Sequence, residues 1–502
     1  MRKQLGMAGR DEEMASEAER VTLELRGRDL ALTPPAALWT LDDAALYSTL
    51  FGPREALGAQ QLFSRDRRAK LLRTRPIAFA RIESALLAHN AYPLHVAFDE
   101  RPALPQPPQL AFTPRPYQED ALTAWRAEGC RGVVILPTGA GKTLVGALAL
   151  AEVALWTLVV VPTIDLLGQW RRALAQALGL GEDEIGVYGG GAREIQPITI
   201  TTYESAQLHP DLLWRFGLLI FDECHHLPAP TYRQIAEGAF TPLRLGLSAT
   251  PERADMEHQA LETLIGPEVY RRHPEELAAA HYLAAYDELR VVATFTPDER
   301  QRYDTARAMY SDFVRRRRLA ITSPADFQRK ILWASARDPE AREAMLAWRA
   351  ARSLALNAPA KLALLEEIFA RHRAERVLVF SEYNRLVAEV SARFCIPQIT
   401  HKTPAEERRA ILEGFRSGRY SKLVTGRVLN EGVDIPDCGV AVIVSGNATR
   451  REYVQRLGRV LRPKETRAIL YELVTEDTTE ERVADQRHRT PPPTPPLEGE
   501  GR

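Results

Sequence analysis

The chain has 502 residues, more than one hydrophobic core ordinarily supports, so several domains are expected. Lys and Arg together number 66, as do Asp and Glu, which excludes a strongly basic protein, so any affinity for nucleic acid must come from local basic surface. The 4 cysteines are scattered without a C-x-x-C pair, which excludes a disulfide framework and the common structural zinc modules.

The N-terminal part begins with a polar stretch that has no apolar segment typical of a secretory signal, and residues 1–20 are predicted to be a disordered leader. Over 21–108, short apolar runs of mixed period predict a small α+β domain that ends at the proline cluster RPALPQPP, a linker signal. Because no stretch reaches the ~18 uninterrupted apolar residues of a membrane span, we expect a cytoplasmic protein with no membrane partner.

Two later regions alternate continuous apolar strands with helical patterns. The runs GVVILP, TLVVVP, ITITT, LLIFDE and LRLGLSAT lie in 109–290, and RVLVFSE, KLVTGRV, VAVIVSG and AILYELV lie in 358–487. This rhythm predicts two doubly wound α/β domains, each with a parallel sheet covered on both faces. Residues 291–357 between them are helical and basic, and the proline-rich tail 488–502 is predicted to be disordered.

The stretch GVVILPTGAGKTLVGALALAEV predicts a buried strand, a glycine turn and a helix, the context of a phosphate-binding loop. Its glycines let backbone amides approach phosphates, Lys142 supplies a positive charge, and the Thr143 hydroxyl suits Mg²⁺. Leu136 stands where the strict pattern has glycine. A plain glycine turn is the alternative. The predicted loop comprises Thr138, Gly139, Ala140, Gly141, Lys142 and Thr143.

The stretch FDECHHLP, residues 221–228, follows a second apolar strand and places two carboxylates, a thiol and two imidazoles together. A nucleoside triphosphatase needs an acidic element here, with Asp222 binding Mg²⁺ through water and Glu223 orienting and deprotonating the attacking water. A zinc site is the alternative, but neighbouring residues at a strand end do not all converge on one tetrahedral ion.

The run REYVQRLGRVLRP places Gln455, Arg459 and Arg462 on one helix face. A solvated basic face is the simplest explanation. Opposite a phosphate-binding loop, however, the same arginines would reach a γ-phosphate, because the guanidinium fork stays charged and grips phosphate oxygens. ATP would then close the two domains and hydrolysis would release them.

With these elements the chain resembles a superfamily-two helicase over about 109–487, and specifically a DNA repair helicase of the XPB type. The resemblance is carried by FTPRPYQEDAL, LPTGAGKT, VVVPTIDLLGQW, ITTYESA, FDECHH, GLSAT, VLVFSE, LVTGRVLNEGVDIPD and YVQRLGRVLRP. It implies two RecA-like motor domains in tandem, an accessory N-terminal domain that resembles a damage-recognition fold, and a helical thumb-like insert. ATP and Mg²⁺ are the implied cofactors.

The resemblance also assigns roles to individual residues. Gln118, helped by Arg115, would read adenine, and Asp434 would lie near the ribose. His225, Ser248 and Thr250 would couple the nucleotide cleft to the DNA track. Thr163, Thr202 and Thr425 would contact the DNA backbone, although Ser and Thr at strand ends also serve simply as helix caps.

Two accessory features of the family bear on strand separation. In SATPERADM, Arg253 and Asp255 align with a charged Arg-Glu-Asp motif, but Ala254 replaces its central carboxylate. This departure favours a translocase with weak unwinding. The thumb-like insert carries Arg315, Arg316 and Arg317 with several aromatic residues, which is the chemistry of single-strand binding. The alternative is a helical pair whose aromatics form its own core.

The sequence therefore predicts an ATP-dependent 3′–5′ DNA helicase or translocase of DNA repair, monomeric and nucleoid-associated in the cytoplasm. Single-stranded, duplex or junction DNA is its expected partner, with a nuclease or other repair protein as a further one. An RNA helicase is one alternative. An ATP-gated scaffold that recruits a repair partner and hardly moves is the other.

Overall fold

The computed structural model of the chain describes residues 20–53, 55–98, 102–249, 259–273, 276–277, 280, 282, 286–321, 324–426, 438–445 and 468–481. The chain forms two compact units, the first ending at residue 274 and the second beginning at residue 275. No helix among the described residues is long and apolar enough to cross a membrane.

The N-terminal domain of the first unit is a five-stranded sheet with helices packed on it. The strand order is β3-β4-β2-β1-β5, antiparallel except for the parallel pair β1 and β5. Asp42 starts the first helix by accepting a hydrogen bond from the Ala45 amide. The elements are β1 (Val21–Arg26), β2 (Asp29–Thr33), α1 (Asp43–Phe51), α2 (Ala56–Leu62), β3 (Ser64–Asp66), β4 (Leu71–Thr74), α3 (Phe79–His89) and β5 (Leu94–Val96).

The first α/β domain is built on an eight-stranded sheet of order β13-β6-β12-β11-β7-β10-β8-β9. All its pairs are parallel except β8 with β9. Its strands are β6 (Arg131–Ile135), β7 (Thr157–Val161), β8 (Ile185–Gly189), β9 (Ala192–Arg193), β10 (Ile198–Thr202), β11 (Leu218–Asp222), β12 (Arg244–Ser248) and β13 (Glu268–Arg271). Its helices are α4 (Pro116–Ala127), α5 (Lys142–Val153), α6 (Ile164–Leu178), α7 (Tyr203–Leu208), α8 (Arg233–Glu237) and α9 (Ala260–Leu264).

The N-terminal domain is docked on the first α/β domain through Phe240, which follows α8. Phe240 is 2% exposed and belongs to the hydrophobic core of the N-terminal domain. Its ring centroid lies 5.8 Å from that of Phe79 and 4.8 Å from that of Phe98. The proline-rich linker also contacts the α/β domain, because the Trp156 amide donates to the Pro102 carbonyl at 2.8 Å. The interface is therefore apolar and continuous with the core.

The second unit contains a six-stranded, wholly parallel sheet of order β14-β19-β18-β15-β17-β16. Its strands are β14 (Tyr286–Ala293), β15 (Val377–Ser381), β16 (Gln398–Ile399), β17 (Lys422–Thr425), β18 (Val440–Ser445) and β19 (Ala468–Thr475). Its helices are α10 (Pro297–Arg316), α11 (Pro324–Phe327), α12 (Pro339–Leu356), α13 (Ala360–Arg371), α14 (Asn384–Phe394) and α15 (Ala405–Arg416). The predicted fold class, two doubly wound parallel-sheet domains with an α+β domain and a helical insert, is confirmed.

The helical insert is formed chiefly by α10 and α12. Tyr303 packs with Ala351 and Ala355 in one core cluster, and Phe313 packs with Ile331 and Ala341 in another. These two aromatics thus belong to the insert's own core, whereas Trp333 is 63% exposed. The insert follows β14, which is paired along its whole length with β19. Residues 286–290, expected at the end of the first α/β domain, therefore lie in the second sheet.

Candidate nucleotide-binding site

The predicted phosphate-binding loop lies between β6 and α5. Gly139 and Gly141 have φ angles of 86° and 78°, a left-handed conformation that side chains other than glycine's rarely adopt. A Cβ atom on Gly141 would also lie 2.6 Å from Nε2 of Gln118. Because the first amides of a helix have no partner within it, the start of α5 at Lys142 presents donors to an anion held by this loop.

The first turn of α4 holds the loop from one side. The Tyr117 hydroxyl donates to the Ala140 carbonyl at 2.7 Å, and Gln118 Nε2 donates to the same carbonyl at 3.3 Å. Gln118 Oε1 accepts from the Arg115 amide at 3.0 Å, so both ends of this 1% exposed side chain are bonded within the protein. The contact of Gln118 and Arg115 with adenine stays a prediction, and it requires some exchange of these bonds.

The acidic pair lies beside the loop because strand order brings it there. β12 is hydrogen-bonded to both β6 and β11, so the carboxyl ends of these three strands are adjacent at one edge of the sheet. Lys142 Nζ lies 3.2 Å from Oε1 of Glu223, forming an ion pair in which both side chains are largely buried. The predicted lysine and the predicted base are therefore in direct contact.

Asp222 is buried beneath this pair and held by two donors. The Trp170 indole Nε1 donates to Oδ2 at 2.7 Å, and the Glu223 amide donates to Oδ1 at 3.0 Å. Burial, followed by the neighbouring Glu223 carboxylate, raises the pKa of Asp222 to about 6, against the opposing effects of Lys142 and the Trp170 hydrogen bond. A bound cation would favour the charged form of this carboxylate.

Two of the three predicted coupling residues join the same cluster. His225 Nδ1 lies 3.1 Å from the Ser248 hydroxyl and 3.4 Å from Oε2 of Glu223. Ser248 Oγ in turn lies 3.5 Å from Oε2 of Glu223. These contacts connect the ends of β11 and β12, and the coupling role of His225 and Ser248 stays a prediction. The third coupling residue, Thr250, lies outside the described residues.

The donor set suits a hard cation better than zinc. The Thr143 hydroxyl and Asp222 carboxylate offer oxygen ligands of the kind Mg²⁺ prefers. The buried Thr138 hydroxyl has no hydrogen-bond partner in the described part of the chain. Burial raises the pKa of the Cys224 thiol, which disfavours the thiolate that zinc requires. Within the described ranges, no group of three or more His, Cys, Asp or Glu side chains is arranged around a metal position.

Three threonines predicted to contact DNA have local partners. Thr163 caps α6 by accepting from the Leu166 amide at 3.4 Å, and Thr202 caps α7 by accepting from the Ser205 amide at 3.1 Å. Thr425 is fully buried and donates to the Gly426 carbonyl. Helix capping accounts for the first two, as the alternative expected, and their DNA contacts stay predictions.

The arginines of the insert are exposed but paired with carboxylates. Arg315 and Arg316 contact Asp312, and Arg317 lies 3.0 Å from Asp338 and from Glu340. A phosphate would have to displace these partners, so their DNA contact stays a prediction. Six further predicted residues lie outside the described residues, namely Arg253, Asp255, Asp434, Gln455, Arg459 and Arg462.

Sequence reasoning missed Tyr117 and Trp170. Tyr117 fixes the phosphate loop and Trp170 fixes the acidic strand end, each through one hydrogen bond to a group more than twenty residues away. Both residues lie inside runs that carry the family resemblance, FTPRPYQEDAL and VVVPTIDLLGQW, and this position is the signal that could have found them.

Comparison with known proteins identifies the family and the fold. Residues 111–253 match the family of the type III restriction enzyme res subunit, and residues 360–464 match the helicase conserved C-terminal domain. The Hef helicase domain of Pyrococcus furiosus has a TM-score of 0.52 at 17% identity, covering 74% of this chain and 98% of that structure. Dbp5 of Saccharomyces cerevisiae bound to RNA and ADP BeF3 has a TM-score of 0.51 at 15% identity, with 75% and 87% covered. These likenesses show the fold.

Sequence relatives are closer. The DNA 3′–5′ translocase XPB2 of Sulfurisphaera tokodaii is 41% identical over 374 residues, 74% of this chain and 84% of the relative. The DNA 3′–5′ helicase XPB of Mycobacterium tuberculosis is 34% identical over 387 residues, 75% of this chain but only 63% of the relative, so the match spans less than two thirds of that protein. With a phosphate loop, an acidic strand end and relatives of this closeness, the chain belongs to the XPB family of superfamily-two helicases.

Proposed function

We propose that the chain is an ATP-dependent 3′–5′ DNA helicase or translocase that couples ATP hydrolysis to movement on, or opening of, DNA in repair. The observation that carries the proposal is the Lys142–Glu223 ion pair of 3.2 Å beside the buried Asp222. The names of the XPB relatives, which act on DNA in the 3′–5′ direction, support the substrate and the polarity.

Each residue of the proposed nucleotide-binding site that the structure describes has its own role in ATP hydrolysis. The loop amides and Lys142 bind the phosphates, while Asp222 and Thr143 would hold Mg²⁺. The ion, when bound, supplies positive charge that polarises phosphate oxygens. Glu223 orients water and accepts its proton. Because Lys142 is paired with Glu223, a triphosphate that attracts Lys142 also frees this carboxylate for its role as base.

The second domain would complete the cleft. Gln455, Arg459 and Arg462 remain proposed partners of the γ-phosphate, and Asp434 of the ribose; all four lie outside the described residues. An arginine that reaches the transition state is worth roughly 10³–10⁵ in turnover. Movement of Glu223 would pass through Ser248 and His225 to the DNA track.

Strand separation is the step we propose to be weak. Ala254 replaces the central carboxylate of the charged motif between Arg253 and Asp255. We therefore favour translocation along single-stranded, duplex or junction DNA by a monomer at the nucleoid. A nuclease or another repair protein would act on the DNA that it exposes.

The decisive experiment measures ATPase stimulation by single-stranded DNA, duplex DNA and RNA, with Glu223→Gln as the inactive control. Strand displacement from a 3′-tailed duplex and from a triplex is measured beside it. Stimulation by DNA with displacement of the triplex strand is the expected result. Stimulation by RNA alone would favour an RNA helicase, and displacement of neither strand would favour an ATP-gated scaffold.

A further inference from the structure

A cavity of about 360 Å³ lies between α10 and α12 of the helical insert. Tyr303, Arg307 and Tyr310 line it from α10, and Trp348 and Arg352 line it from α12. These positions follow the spacing of three and four residues that places side chains on one helix face. Two helix faces with rings and guanidinium groups thus meet around one space.

Two arginines, Arg307 and Arg352, bring positive charge to the wall of the cavity. The Arg352 guanidinium stacks on the Trp348 ring at 4.9 Å from its centroid. Among the described residues no carboxylate forms an ion pair with Arg307, in contrast to Arg315, Arg316 and Arg317. Glu480 also borders the cavity, but both its oxygens accept from the buried Lys361 ammonium at 2.7 Å, so its charge is balanced.

The size and the lining suit one ligand class. The volume is at the lower end of the ~300–1,000 Å³ typical of small-molecule sites, too small for a helix. Aromatic rings stack on nucleobases whatever their sequence, and arginine binds the adjoining phosphate. A partly open cavity, aromatic rings and positive charge therefore coincide.

We propose that this cavity binds one nucleotide, whose base replaces the Arg352 guanidinium on Trp348 and contacts Tyr310, and whose phosphate binds Arg307 and the displaced Arg352. The nucleotide belongs to the DNA strand on which the protein moves, an assignment of source that rests on the proposed function. The site is separate from the ATP site at Lys142. It also differs from the paired arginine run at 315–317, one of the two alternatives that the sequence offers for this insert.

The test compares binding of a labelled single-stranded oligonucleotide to full-length Arg307→Gln, Trp348→Leu and Arg349→Gln. The thermal midpoint of each variant is measured first, because Trp348 also packs on Phe327, with ring centroids 4.5 Å apart, and its replacement could disturb folding. Arg349 is the matched control, an exposed arginine of the same helix that does not line the cavity.

We expect Trp348→Leu to weaken binding by roughly 5- to 150-fold, the range of losing one base stack. Arg307→Gln should lower the slope of log affinity against log salt by about 0.7, the value of one phosphate contact on a single strand. Arg349→Gln should bind as the unmodified chain does.

Three results would overturn the inference in distinguishable ways. If the unmodified chain binds and responds to DNA but Trp348→Leu and Arg307→Gln match Arg349→Gln, the cavity is not a nucleotide site and the proposed function stands. If no nucleic acid stimulates the unmodified chain's ATPase, the proposed function fails first. If free ADP, measured by equilibrium dialysis, fills a second site that Trp348→Leu abolishes, the assignment to a strand nucleotide is wrong.

Discussion

The indole Nε1 of Trp170 donates a hydrogen bond of 2.7 Å to the buried carboxylate of Asp222. Trp170 itself has little freedom, because it packs so closely on α5 that a Cβ atom at Gly146 would lie 2.8 Å from its ring. The carboxylate proposed to bind magnesium is thus oriented by a rigid side chain from the neighbouring helix, and this relationship has a measurable consequence.

Trp170→Phe should move the acid limb of kcat/KM for ATP to higher pH. In the unmodified chain this limb is expected near pH 6, the pKa of Asp222, because protonation removes the carboxylate that binds the cation. The Trp170 hydrogen bond lowers that pKa, so its loss raises it. Affinity for Mg²⁺, measured by nucleotide binding at varied ion concentration, should fall as well.

Trp125→Phe is the matched control for this change, since Trp125 is equally buried but donates to the Arg244 carbonyl at 2.8 Å. An acid limb at the same pH in Trp170→Phe and in the unmodified chain would show that the hydrogen bond does not tune Asp222.

Glu223→Gln should lower ATP turnover by roughly 10²–10⁴-fold, the usual contribution of a general base. Affinity for ATP should be kept or increased, because the substitution also releases Lys142 from its ion pair. Turnover and binding of a fluorescent ATP analogue measure the two effects separately. Glu204→Gln, at an exposed position of α7, is the control, and normal turnover in Glu223→Gln would remove Glu223 from the role of base.

Lys142→Ala should weaken ATP binding by roughly 10- to 100-fold, since a hydrogen bond to a charged group contributes about 1.5–3 kcal/mol. Hydrolysis should be lost with it, because the phosphates are no longer held beside Glu223. Isothermal titration with ATP and with ADP tests the assignment. An equal loss for AMP would mean that Lys142 supports the loop rather than binding the terminal phosphates.

Ser248→Ala should reduce DNA-stimulated ATPase activity more than unstimulated activity. The hydroxyl contacts both Glu223 and His225, at 3.5 Å and 3.1 Å respectively, beside the direct contact of 3.4 Å between those two side chains. The ratio of the two activities is the measurement. Ser391→Ala, which removes a hydroxyl donating to the Ile396 carbonyl in the second domain, should leave this ratio as it is. A proportional fall of both activities in Ser248→Ala would assign it to catalysis instead of coupling.

Phe240→Ala should loosen the N-terminal domain, since removing a buried phenylalanine costs about 3–5 kcal/mol. Hydrogen exchange should accelerate in α3 and near Phe98, which pack against this ring. Phe240→Leu should keep most of the protection from hydrogen exchange that Phe240→Ala loses. Unchanged exchange in Phe240→Ala would show that the ring is not the anchor of the docking.

The sequence predicts that the proposed nucleotide-binding residues lie close together, because chemistry and chain order coincide there. Asp222 ends β11, Glu223 follows it, and Lys142 follows the turn after β6. Because parallel strands end at the same edge, the proximity of these residues follows from the topology. Trp170 could not be placed in the same way, because helical periodicity shows only that it is buried and not that its indole faces a carboxylate 52 residues away.

Contacts between segments far apart in the chain are equally hard to predict from the sequence. Arg317 pairs with Asp338 and Glu340 from the start of another helix, whereas Arg315 pairs with Asp312 of its own helix, and the contact of these arginines with phosphate stays a prediction. β14 begins within the range assigned to the first α/β domain, but hydrogen bonding along its full length with β19 places it in the second sheet. Both depend on contacts between segments far apart in the chain.

The apolar interface at Phe240 affects how truncated forms of this protein can be interpreted. Truncation at the proline cluster would expose the Phe240 ring to solvent on the remaining fragment. It would also leave a cavity in the core of the separated N-terminal domain, so both fragments would be prone to aggregate. Loss of activity after such a truncation would then report damaged folding rather than a missing damage sensor. A polar replacement of Phe240 in the fragment is the way to tell these two explanations apart.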